Sequence, residues 1–68
     1  MFFIDERKFF AICADKGLSL KQVKQMAGVS YTTLRAIGNG EGIRMLTLGK
    51  LAKALNVKSI ELLKEDTK

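Results

Sequence analysis

Residues 18–40 read LSLKQVKQMAGVSYTTLRAIGNG, two short amphipathic runs that meet at Ala27-Gly28-Val29-Ser30. Ser19 has the side chain of a helix N-cap. Leu20, Val23 and Ala27 follow it at i, i+3 and i+7, the spacing of one helix face. Gly28 ends that run, taking the left-handed backbone conformation that a tight corner needs. Ser30 then caps a second helix whose inward pair is Leu34 and Ile37. The pattern predicts that Val29 plugs the corner and that Leu34 and Ile37 pack against Leu20 and Val23. Gly38, Gly40 and Gly42 make a flexible exit.

Working outward, a preceding helix is predicted from about Asp5, its N-cap, to Asp15, with Lys16-Gly17 as the stop and Phe9 and Ile12 facing the core. Downstream, Thr47 is the expected cap of a helix carrying Leu48, Leu51, Ala52 and Leu55 at i, i+3, i+4 and i+7, with Asn56 ending it. Ser59 is expected to open a short last helix with Ile60, Leu62 and Leu63. Proline, repeats and low-complexity runs are absent, and no alternating β-branched pattern competes. The expectation is an all-α, compact five-helix domain over residues 1–68, with a helix-turn-helix at about 19–39.

A chain of 68 residues and 7.6 kDa buries only about 60% of its unfolded surface, which leaves no room for a second domain or a deep cleft. One cysteine, Cys13, excludes an internal disulfide, and with no histidine the Cys/His zinc pattern is excluded as well. Cys13 reads as a small buried apolar residue. No P-loop and no nucleophile beside a base are present, so neither catalysis nor a cofactor, metal or small-molecule ligand is expected. The apolar run Met1-Phe2-Phe3-Ile4 ends at Asp5-Glu6-Arg7-Lys8, too short for a signal peptide or a membrane span, and a cytoplasmic location is the expectation. Charge placement is more informative. Residues 16–58 hold eight basic side chains against the single acid Glu41, a net +7, while the segments on either side are each −1. A basic centre between mildly acidic ends is the footprint of a polyanion binder.

The stretch quoted above, followed by TLGKLAKALNVKSIELL at 47–63, resembles the Cro/CI-type helix-turn-helix DNA-binding regulators of phages and bacteria over about residues 9–63. The resemblance implies a lambda-repressor-like DNA-binding fold. Three features depart from the family's habit. Lys24 stands where a small residue is usual and must send its ammonium outward. Cys13 and Gly38 stand where an arginine and a glutamate often pair, and the usual proline of the following loop is missing.

By that resemblance the recognition helix, about 30–38, enters the major groove. A helical wheel centred on Leu34 and Ile37 turns Thr32, Arg35, Ala36 and Asn39 outward, with Tyr31 on the flank. Arg35 suits a bidentate contact to guanine, and Thr32 or Ala36 a thymine methyl. Tyr31 and Thr33 suit phosphate or a base edge, and Ser30 belongs to the same helix start. Ser19, with the first amides of its helix, suits a phosphate, and Lys21, Asn39 and Arg44 suit backbone contacts that carry no sequence information. Lys50, Lys53 and Lys58 read as solvent-facing. The function implied is a sequence-specific regulator, a small repressor of phage or mobile-element type that binds double-stranded DNA as a homodimer. The competing reading is a protein-interaction module of the same fold, such as an antitoxin subunit or transcription-machinery adaptor. Phe2, Phe3 and Phe10 favour it, as aromatic surface beyond what the core requires.

Overall fold

The computed structural model describes residues 1–65. Its elements are α1 (Glu6–Asp15), α2 (Leu20–Ala27), α3 (Tyr31–Gly38), α4 (Met45–Leu55) and a 3-10 turn at Ser59–Leu62. The all-helical reading holds, but with four α-helices and not five. The last segment has only four residues and buries only Leu62, too little to close a full α-helical turn. Ser59 opens it, as read, and Lys58 is its N-cap: the Lys58 amide donates to Glu61 Oε2 at 2.8 Å.

Helix ends follow their local chemistry. Asp5 Oδ1 accepts from the amides of Arg7 and Lys8 at 3.0 and 3.3 Å, capping α1. Gly17 turns left-handed and lets the Leu18 amide return to the Cys13 carbonyl at 2.9 Å. In α2, Ser19 and Gln22 form a reciprocal capping box, at 3.2 Å to the Ser19 hydroxyl and 2.8 Å from its amide. Gly28, at φ +68°, closes it. Asn56 closes α4 in the same left-handed region, at φ 56°. The start of α4 departs from expectation. Arg44, not Thr47, is its N-cap and offers no side-chain bond, so Thr47 lies within the first turn. The reason is the residue before: Ile43 is held in an extended bridge, and the helix begins as soon as the chain leaves it.

That bridge belongs to a feature absent from the helical pattern. Residues 1–5 run extended between two other segments. Phe2 exchanges both backbone bonds with Ile43, each at 2.8 Å. On the opposite edge the Lys64 amide donates to the Phe3 carbonyl at 3.0 Å, and the Asp5 amide donates to the Leu62 carbonyl at 2.8 Å. The N-terminal segment thereby ties the α3–α4 loop to the chain after the 3-10 turn, and it drives Ile4 into the core.

The core joins Ile4, Phe9, Cys13, Val23, Ala27, Leu34, Ile37, Ile43, Leu48, Leu51, Ala52, Leu55 and Leu62. On α1 the buried pair is Phe9 and Cys13, with Ile12 only half-buried beside them. Burial pushes the Cys13 thiol up, away from its reactive thiolate form. Leu20 was expected in this core and is 40% exposed: as the first residue of α2 it precedes the turn that packs on α4. Ile60 is likewise exposed, because a 3-10 turn directs only Leu62 inward.

Candidate nucleic-acid interface

The corner between α2 and α3 presents α3 along one side of the molecule. Ser30 Oγ accepts from the Thr33 amide and hydrogen-bonds the Thr33 hydroxyl, both at 3.3 Å. These two predicted contact residues therefore brace the first turn, and Thr33 is half-buried. Beyond them α3 carries two rows. Tyr31, Arg35 and Asn39, at i, i+4 and i+8, line a shallow cleft with Phe10, Leu20, Leu34 and Gly38. Thr32, Thr33 and Ala36 line a second cleft with Arg44, Thr47, Gly42, Ile43 and Met1. The predicted outward face is thus split: Arg35 and Asn39 lie with Tyr31, while Thr32 and Ala36 lie with Arg44. Ala36 is half-buried; Tyr31, Thr32, Arg35, Asn39 and Arg44 are exposed.

Ser19 and Lys21 are exposed at the start of α2, on either side of Leu20, which reaches the first cleft. The Ser19 amide and hydroxyl oxygen are both engaged with Gln22, leaving the hydroxyl proton and the first helix amides to a ligand. Three participants escaped the sequence reading. Thr47 enters the second cleft because α4 starts early, and Met1 enters it through the N-terminal strand. Lys24 is half-buried, with Nζ 5.3 Å from the centre of the Tyr31 ring. The signal for Lys24 was its departure from a small residue; nothing local marked the other two.

Electrostatics favour an anion on this side. No acid occurs from Lys16 to Gly40. Among the described residues the ion pair is Lys8–Glu65 at 3.4 Å, which links the two ends of the chain and leaves Lys21, Lys24, Arg35 and Arg44 without a carboxylate partner.

Residues 11–63 match the helix-turn-helix family. The chain belongs to the Cro/CI-type helix-turn-helix regulators. Members of this family are DNA-binding regulators. Comparison with curated proteins and with solved structures gave no match. In this helix-turn-helix regulator no helix among the described residues is long and apolar enough to cross a membrane.

Proposed function

We propose that residues 1–68 form a single DNA-binding unit, a small cytoplasmic repressor of phage or mobile-element type that binds a two-fold operator as a homodimer. The observation that carries this reading is the pair of rows on α3, in a stretch, residues 16–40, that is free of acids. Inserted in the major groove, Arg35 reads a guanine edge and Thr32 or Ala36 meets a thymine methyl. Tyr31 and Thr33 meet a base edge or a phosphate beside them, while Ser30, Ser19, Lys21, Asn39 and Arg44 flank them toward the phosphates, fixing register without reading sequence. The test is selection from a random-sequence duplex library followed by binding across salt. A dimer that neutralises about 6–10 phosphates loses about 10³–10⁵-fold in affinity between 50 and 200 mM salt. Two half-sites about 34 Å apart should emerge. A flat salt profile, or a single short half-site at saturation, overturns the respective part.

A second reading, a protein-interaction module, draws on exposed aromatic surface. Phe3 and Phe10 remain 49% and 39% exposed after the N-terminal strand has docked. In that case duplex binding is weak and indifferent to sequence.

A further inference from the structure

Tyr31 is the first residue of α3, and its side chain is about half exposed. Helical side chains lean back over the preceding turn, and a first residue has no such turn. Part of what orients this ring therefore comes from other elements, and Phe10 of α1 and Leu20 of α2 line its cleft beside Leu34 and Arg35 of α3. The polar contact comes from α2, where Lys24 in the last turn directs its ammonium to the ring at 5.3 Å from the centroid. No carboxylate of the described residues pairs with Lys24, and the ring is its electrostatic partner among them. Tyr31 also shares its cleft with Arg35, the base reader proposed above.

We infer that Lys24 is a positioning residue for DNA recognition, holding the Tyr31 ring so that its hydroxyl and the Arg35 guanidinium meet the duplex as one preorganised pair. The inference rests on the DNA-binding reading of α3. A small residue at this position leaves the ring free to sample rotamers, and the duplex must then order it on binding. The benefit therefore falls on the preferred sequence, where Tyr31 and Arg35 are both engaged. A cation–aromatic contact at an exposed site corresponds to about a two- to five-fold effect. DNA phosphates do not replace this role, since they contact the ammonium without aligning the ring.

The experiment is a double-mutant cycle on the full chain, with Lys24→Met, Tyr31→Ala and the double variant. Methionine keeps the aliphatic stem and removes the charge. Binding is measured on a duplex recovered from the random-sequence library and on a scrambled duplex of equal composition. Lys24→Met should lose about two- to five-fold on the selected duplex, clearly less on the scrambled one, and nothing further once Tyr31 is alanine. Lys24→Arg should restore binding. Tyr31 is the sole tyrosine and tryptophan is absent, so intrinsic emission reports this ring alone. Its anisotropy without DNA should fall in Lys24→Met and recover in Lys24→Arg. Equal losses on both duplexes, with the salt slope reduced by about one, would make Lys24 a phosphate contact and overturn the inference. A loss that persists in the Tyr31→Ala background overturns it as well. A wild-type chain that prefers no duplex removes the DNA reading and this inference with it; a discriminating wild type with an additive cycle removes the inference alone.

Discussion

The α2–α3 corner and the N-terminal strand both hold α3 and its loop in place, and they do it over very different distances along the chain. The corner is built from neighbours: Ser19 with Gln22, Ser30 with Thr33, and the Val29 amide with the Lys24 carbonyl at 3.2 Å. The strand is built from remote partners, Phe2 with Ile43 and Ile4 with Leu63. Local bonds set where each helix starts and stops. Remote ones set where the loop after α3, and hence Arg44 and Thr47, stand beside it.

The largest expected effect tests whether the remote region matters as much as the local one. Leu34→Ala at the corner and Ile4→Ala in the strand each remove a side chain at least 95% buried, and each should cost about 2–5 kcal/mol in urea unfolding. An Ile4→Ala cost below about 1 kcal/mol would make the strand an ornament on a helical core. Next in size, Arg35→Ala should cost about 1–3 kcal/mol on the selected duplex and relax preference at one base pair, with stability unchanged. Arg44→Ala should weaken selected and scrambled duplexes alike and lower the salt slope by about one. Identical behaviour of the two arginines would erase the distinction between the rows of α3.

Smaller effects sharpen the local side. Gly28→Ala meets no atom within 4 Å, so its cost is backbone strain alone, about 1–2 kcal/mol, and Gly28→Asn should recover part of it. Ser19→Ala breaks the capping box and should cost about 1 kcal/mol, read as a shift in the thermal midpoint. A Gly28→Ala variant as stable as wild type would contradict the left-handed turn.

The same division of distances explains what the sequence disclosed. Asp5, Ser19, Gly28, Ser30 and Asn56 act on residues within five positions, and each was legible as a cap or stop. Thr47 misled because the true start of α4 depends on a bridge partner, and the last segment, opening at Ser59 as read, is a 3-10 turn because so few residues remain to bury. Leu20 fitted the apolar spacing, yet spacing cannot tell a first-turn residue that overhangs a cleft from one that packs. Met1-Phe2-Phe3-Ile4 is too short to display an alternation, so its pairing across the chain left no local trace. At the site, the residue types on α3 were readable through the family resemblance. Their division into two rows, and the reach of Lys24 to Tyr31, depend on tertiary geometry.

The strand that joins Phe2 to Ile43 and Ile4 to Leu63 also has a consequence in time. Both pairings close long loops, and that entropy must be met before any contact compensates it, whereas the corner closes within a few residues. The corner is therefore expected in the folding transition state and the strand after it. Substitutions in α2 and α3 should slow folding, and Ile4→Ala should chiefly accelerate unfolding. How long a folded molecule keeps the two clefts of α3 intact is then governed by a clasp at the N-terminal end of the chain, far along the sequence from the helix it steadies.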